Sequence, residues 1–541
     1  MKISSKLILG FMLVMMICCV SAVSATDINS TDDAIITDEI VVDDVSEIVE
    51  DVEIDDASDD VVDAENANDN AVELRGEPSD LPQVNGRPWY AHFNSNGELT
   101  NDIPAYDLVF TGSFNNTGIG VNKLTINRQV NLNLAGATFN NVGIEILSNY
   151  TKVNGGTFKT DGTVGSEAAI FINGAQYVEI NNTHMDIIAP NATDCFAIDV
   201  NNSEGAKILN NTITYVCGYD NAANYNDVIR AKNSKNMIVT GNVINATVPL
   251  KTVNWTYYGS IDADFVAGVA IENCENFKFI NNTLTLSANG RVGASPTLDA
   301  LLIINSLNSV IEKNVITEKD TITPEGNASY LYGIDVYSCY NIKINNNTVK
   351  MNADQSGGYV GGNGTGAAYC VQLTGPHTGV TVSNNKLTTK NNGPNAAIYS
   401  QNFFGQTNIV VTNNTITVTG KGTNQTWDVV TGMELQDDNA TVKGNTITVT
   451  NVGPYYSGYN VYGISYSQFT NTTHSYNIQN NTIEVNEGNY TIYIMDGYYC
   501  TITGNTLNSN YLDEDEGEIY QSGNATVIIA VGEGNYIGPN P

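Results

Sequence analysis

The sequence predicts an all-β fold, a right-handed parallel β-helix with three short strands per coil. Three observations predict it. One phrase recurs: alternating apolar and polar residues, an Asn-Asn or Gly-Asn pair, then a run such as Thr-Ile-Thr-Val. Its copies lie 24 to 40 residues apart. No stretch between them carries the i, i+3, i+4 spacing of an amphipathic helix.

The phrase reads Lys207-Ile208-Leu209-Asn210-Asn211-Thr212-Ile213, Phe279-Ile280-Asn281-Asn282-Thr283-Leu284 and Val442-Lys443-Gly444-Asn445-Thr446-Ile447. Taking the second residue of each pair as a marker gives Asn182, Asn211, Asn242, Asn282, Asn314, Asn347, Asn385, Asn414, Asn445, Asn481, Asn505 and Asn535. Weaker copies at 136–139 and 156–158 precede them, for about 12–14 coils in all. Strong coils span about 165–541 within a helix domain of 81–541.

One repeat shows the elements. Residues 333–337, 341–344 and 348–351 alternate Ile or Val with polar residues, a period of two, which is strand spacing. Only two residues separate the second strand from the third. A turn that tight needs positive φ, and Asn is the best choice after Gly. Lys313-Asn314 shows that the second position is the stricter one. Stacked coils should bring these Asn side chains into one hydrogen-bonded ladder. Fourteen steps of about 4.8 Å would make a rod about 65 Å long. Chirality favours the right hand. A β-propeller is the rival, but its blades need a fourth strand that this repeat lacks.

The composition agrees. Against 58 Asp+Glu stand 23 Lys+Arg, for a net charge of −35, yet only 15 % of the residues are charged. Such acidity excludes a phosphate-backbone partner, so no nucleic acid is expected. Residues 1–25 read as a signal peptide: Lys2 and Lys6, an apolar 7–20, and Val23-Ser24-Ala25 for cleavage. Left uncleaved, that segment would be the only membrane contact expected. Residues 26–80 read as an acidic disordered spacer, with 21 acids against Arg75. The spacer lacks the Gly and ligand spacing of a calcium loop. Four His and six Cys beyond the signal form no metal motif, so no metal or cofactor is expected.

With these features on the page, the chain resembles the adhesin-like right-handed β-helix surface proteins of methanogenic archaea. The resemblance rests on the Lys6-Leu7-Ile8-Leu9 signal, the Asp/Val tract and the Asn-Asn-Thr-Ile coils. The stretch 121–128 through 135–139 looks like the family's first coil. It covers nearly the whole chain. It implies a secreted, cell-surface or cell-wall-associated protein, non-enzymatic, with free thiols as suits an anaerobe. It names no ligand, because β-helices host enzymes and binding surfaces alike.

Chemistry in the coils was sought against that expectation. A glycosidase needs two carboxyls about 5–9.5 Å apart. Asp199 and Asp335 share a register but lie four coils apart. Asp437 and Asp438 are the best catalytic candidates, yet Asp437 falls eight residues before its marker, a turn slot held by Ser203, Ser234 and Ser306 elsewhere. His377 takes that slot two coils earlier, about 10 Å away, so no direct bond between His377 and Asp437 is expected. Cys274 and Cys339 share the slot too, beyond disulfide reach.

Extra length collects after the third strand of certain coils, along one edge of the rod. These insertions carry Trp255, Tyr257 and Tyr258; Tyr359; and Tyr455, Tyr456 and Tyr459. Phe403, Phe404 and Trp427 extend the set. Aromatics among Asn and Gly suit a glycan, cell wall or protein partner. The expected function is therefore adhesion through this loop edge. The alternatives are a polysaccharide hydrolase or lyase, and a plain surface spacer. Asn149, Asn254, Asn327 and Asn489 stand in glycan-acceptor sequons. Six residues follow the last marker, so an open last coil should invite capping or stacking by another chain.

Overall fold

The computed structural model describes residues 81–540 except 101–105, 163–167, 190–194, 217–225, 249–264, 290–296, 322–329, 355–366, 392–394, 402–407, 421–428, 438, 453–459, 467–474, 489, 510–517, 523–524 and 532–534. The signal segment and the acidic tract lie outside the described residues.

The chain is a right-handed parallel β-helix. Each coil gives a first strand to one 15-stranded sheet, and a second and a third strand to a 29-stranded sheet that wraps the Asn corner. The coil read from sequence at 333–351 is built from Tyr330–Tyr337, Lys343–Asn345 and Thr348–Asp354. Pairing along the rod is parallel and in register: Ile316 lies beside Val349, and Val349 beside Leu387. Inward Ile, Val, Leu and Phe form one continuous core. Near its start Phe114, Phe139 and Phe158 stack at centroid distances of 4.9 and 4.7 Å. An antiparallel hairpin at Gln83–Val84 and Arg87–Pro88 leads into a short turn, whose Trp89, with Phe93, is buried over that end of the core.

The tight Asn corner divides its two tasks between the two residues. The first takes positive φ: 56° at Asn281, 57° at Lys313, 55° at Asn346. The second turns inward and makes the ladder. From Asn211 to Asn505 each Nδ2 donates to the Oδ1 of the next marker at 2.9–3.1 Å. The marker's backbone N–H donates to that same oxygen, as from Asn347 to Asn385 at 2.8 Å. Its Nδ2 also reaches a carbonyl one coil back, such as Ile311 O at 2.9 Å. Each buried amide therefore meets its full hydrogen-bonding capacity.

Two assigned rungs are corrected. Asn182 carries the positive φ of its corner, and Thr183 fills the ladder slot, its N–H and Oγ1 both donating to Asn211 Oδ1. Asn535 accepts from Cys500 N at the other corner, while Asn540 takes the last rung with Asn505. Each error is a local shift that only pairing resolves. The expected bare last coil is also modified. Glu518–Ser522 turns back antiparallel along Ala525–Val531, so the chain's own strand occupies that edge of the 15-stranded sheet.

The corner between first and second strands has a lesser ladder. Ser203 N donates to Ser234 Oγ, Cys274 N to Ser306 Oγ, and Ser306 N to Cys339 Sγ. All five cysteines among the described residues are buried and free. Burial pushes the thiol of Cys339 up to about 12 and of Cys274 up to about 11, so they stay protonated and unreactive at neutral pH.

Candidate functional site

First strands carry a kink that second and third strands lack. In Asp299-Ala300-Leu301-Leu302, Tyr332-Gly333-Ile334-Asp335 and Tyr369-Cys370-Val371-Gln372 the two middle residues are both buried. Register follows the flanking residues: Asp299 pairs with Tyr332 and Leu301 with Ile334. The first middle residue stays small because the wall is close. A Cβ on Gly333 would lie 2.6 Å from Val349 Cγ1 and 2.7 Å from Cys370 O. Each kink thus turns two side chains, three residues apart, away from the core on every coil from Thr297–Ile304 to Tyr490–Asp496.

Stacking turns these into two rows. One runs Asp299, Tyr332, Tyr369, Ala396, Thr431, Tyr462, Tyr490. The other runs Leu302, Asp335, Gln372, Tyr399, Glu434, Ser465, Tyr493. Six strand steps of about 4.8 Å give the face a length of about 29 Å. Tyr332 stacks on Tyr369 at 5.9 Å and Tyr369 on Tyr399 at 4.7 Å, with Tyr330 adjoining at 6.3 Å. Tyr462, Tyr490 and Tyr493 form a second group at 5.0–6.0 Å. Ring faces cover ring faces, so ring edges and hydroxyls remain for a ligand. Burial first, then neighbouring carboxylates, pushes the phenols of Tyr332 and Tyr399 up, so they stay protonated donors. Gln436 Nε2 donates to Glu434 Oε1 at 3.0 Å between the two groups.

Asp299 and Asp335 stand on adjacent strands at this face. Asp299 is 1 % exposed, and its Oδ1 has no hydrogen-bond partner. Burial, then repulsion from Asp335, Glu318 and Asp227, holds its carboxyl well above the usual range. Burial raises Asp335 to about 7. Beneath them Glu318 points into the core, where burial likewise holds it protonated. The Ala300 and Tyr332 amides approach Glu318 without completing hydrogen bonds. Asp199 differs: Arg230 clamps it with Nε at 3.0 Å and Nη2 at 2.7 Å, and stacks over Phe196 at 3.7 Å. Among the described residues no three His, Cys, Asp or Glu stand close enough to hold a metal ion.

Asp437 lies elsewhere, inside the first-to-second corner, and Asp438 lies outside the described residues. The expected gap between Asp437 and His377 is corrected: His377 Nε2 meets Asp437 Oδ1 at 2.8 Å. Two steps of about 4.8 Å are spanned because both side chains extend along the rod. Ser400, on the coil between, donates to Asp437 Oδ2 and lies 3.3 Å from His377 Nε2. His377 Nδ1 donates to Gly375 O at 2.9 Å. A hydrolase triad puts His between Ser and Asp, whereas here the three side chains close a triangle, with Ser400 in contact with both His377 and Asp437. All three are at most 1 % exposed. The cluster clasps three coils, and Asp437 is not open to a substrate.

The loop aromatics Trp255, Tyr257, Tyr258, Tyr359, Tyr455, Tyr456 and Tyr459 lie outside the described residues, as do Phe403, Phe404 and Trp427. Their segments run directly into the first strands Phe265–Glu272, Ala368–Thr374 and Asn460–Tyr466. The strand tyrosines Tyr332, Tyr369 and Tyr399 were missed by sequence reading. Their signal was the outward–small–apolar–outward tetrapeptide in each first strand. A shallow depression lined by Asn308, Asn341 and Lys343 lies on the second-strand side and gathers no carboxylate or aromatic.

No protein-family profile matches the chain, and no curated protein matches it. Solved structures do. The Dettilon tailspike protein is 12 % identical over 66 % of this chain at TM-score 0.33, and this chain spans 61 % of the tailspike's length. The alginate lyase AlyF-OU02 in complex with G6 is 12 % identical, covering 82 % of this chain and 89 % of the lyase, at 0.33. PfbA, a surface adhesin of Streptococcus pneumoniae, is 11 % identical, covering 79 % of this chain and 90 % of the adhesin, at 0.32. At these identities and TM-scores the likeness carries no argument, and the β-helix rests on this chain's own strand pairing. Among the described residues no helix is long and apolar enough to cross a membrane.

Proposed function

We propose that this is a secreted surface protein that binds glycan chains along its first-strand face. The carrying observation is the stacked row Tyr330, Tyr332, Tyr369 and Tyr399, continued by Tyr462, Tyr490 and Tyr493. Its direction along the rod suits an extended polymer. Its hydroxyls, with the Gln372 amide, offer the donors and acceptors that sugar hydroxyls require. The aromatic insertions chosen from sequence join the chain at the edge of the same face, which supports one surface rather than two.

Calorimetry with hexasaccharides tests the reading. Paired Tyr369→Ala and Tyr399→Ala substitutions should weaken binding at least tenfold, with the coil intact by circular dichroism. Undiminished binding would remove the face from the proposal.

A second reading is favoured by one observation, the half-buried Asp335 on this face, whose carboxyl burial raises to about 7. A carboxyl so raised suits general acid work on a glycosidic bond. Release of reducing ends that disappears in Asp335→Asn would establish it.

A further inference from the structure

The chemical class of the ligand follows from what the first-strand face lacks. Eight consecutive first strands, from Phe265–Glu272 to Tyr490–Asp496, contain no Lys or Arg. They do contain Asp299, Asp335 and Glu434. Cations sit on the other faces: Lys207, Lys278 and Lys343 on second strands, and Lys319, Lys350, Lys386 and Lys390 on third strands. The nearest first-strand cations toward the N-terminal end, Arg230 and Lys232, are already bound to Asp199 and Glu272.

A polyuronate carries one carboxylate per sugar and needs cations spaced along its path. Here it would meet none on the strands, and would face an acidic pair whose Oδ1 atoms, on Asp299 and Asp335, have no hydrogen-bond partner. Asp299 is nearly sealed, so a ligand amine could not reach it as a counter-ion. Beside these acids, what the face offers is neutral: the hydroxyls of the half-buried Tyr332, Tyr369, Tyr399 and Tyr493, and the Gln372 amide.

We infer that the face selects an uncharged glycan chain, bound through sugar hydroxyl or acetamido groups, and discriminates against uronate polymers. The inference rests on the glycan-binding reading above and sharpens its substrate.

The test is calorimetry of the full chain against four hexasaccharides at pH 6.5 and low salt: cello-, N-acetylchito-, chitosan and alginate oligomers. The expected result is binding of at least one neutral hexamer, with alginate at least tenfold weaker. Repeated at pH 8.5, where Asp335 is ionised, the Asp335→Asn substitution should narrow that ratio by roughly tenfold, the size of one like-charge contact at about 6 Å in a medium between water and protein. Alginate binding as tight as the neutral chains would overturn the inference, and leave the tyrosine face standing. So would chitosan binding tenfold tighter than the neutral chains, or a ratio unmoved by Asp335→Asn. Binding of none of the four, against intact coils, would instead remove the face itself, and the inference with it.

Discussion

The Asn corner and the first-strand face are built on the same coils and obey opposite rules. At the corner, successive coils place the same residue in the same slot, and each amide is satisfied by its neighbours at 2.9–3.1 Å. On the first-strand face the slot changes from coil to coil: Asp299, Tyr332, Tyr369, Ala396, Thr431. It keeps unpartnered carboxylate oxygens and carboxyls raised by burial. In a solenoid, repetition marks what holds neighbouring coils together. Departure from repetition marks what the molecule spends that stability on. The third-strand face lies between these extremes: Thr415, Thr417 and Thr419 stack on Thr446, Thr448 and Thr450, a strand-favouring row in water.

The comparison can be broken most strongly at the His377–Asp437–Ser400 clasp, a departure from repetition that is buried. Asp437→Ala should destabilise by about 3–5 kcal/mol, because it strands a buried imidazole and hydroxyl. Urea unfolding measures it, and a change below about 1 kcal/mol would show the clasp to be incidental. Asn347→Ala comes next, at about 2–4 kcal/mol, since it removes the acceptor of the Asn314 N–H, one of the two acceptors of Asn314 Nδ2 and a donor to the Ile311 carbonyl. Hydrogen exchange should then quicken in the coils flanking 347. Gly333→Ala should cost about 1–3 kcal/mol by overpacking against Val349 and the Cys370 carbonyl. It should also weaken glycan binding by displacing Tyr332 and Asp335.

A further effect, spread over several pH units, is the pH dependence of the face. Burial raises Asp335 to about 7 in the folded chain, from an ordinary carboxyl value of 3.8. The folded state therefore holds this proton more tightly than the unfolded one. Its contribution is complete below about pH 4 and is lost as pH rises through 7, with a slope of at most about 1.4 kcal/mol per pH unit. Melting temperatures of Asp335→Asn should fall less between pH 5 and 8 than those of the native chain. Parallel curves would contradict the buried carboxyl.

How far the sequence reached can be read at particular residues. The period-two alternation and the Asn pairs disclosed the coil, the corner and the order of the strands, because a buried amide and a positive φ are local demands. The same reading put Asn182 and Asn535 on the ladder. The true rungs lie one residue on, at Thr183, and five residues on, at Asn540, and such offsets are settled only by which backbone N–H finds which oxygen across coils. It kept Asp199 and Asp335 apart, and they do lie four strand steps from each other. It overlooked Asp299, because the first-strand kink shifts its distance from the marker relative to that of Asp335.

By itself, then, the sequence determined a three-stranded coil, its Asn corner and the apolar interior, since each follows from spacing and propensity within one repeat. The tertiary structure decided which residues of different coils become neighbours. It joined His377 to Asp437 across two coils and stacked Tyr332, Tyr369 and Tyr399 into a row. It also put Asp299 beside Asp335 with no lysine on their strands. The reason is physical: a contact between coils depends on summed loop lengths and on the kink's two inward residues. Neither is encoded in any one copy of the repeat.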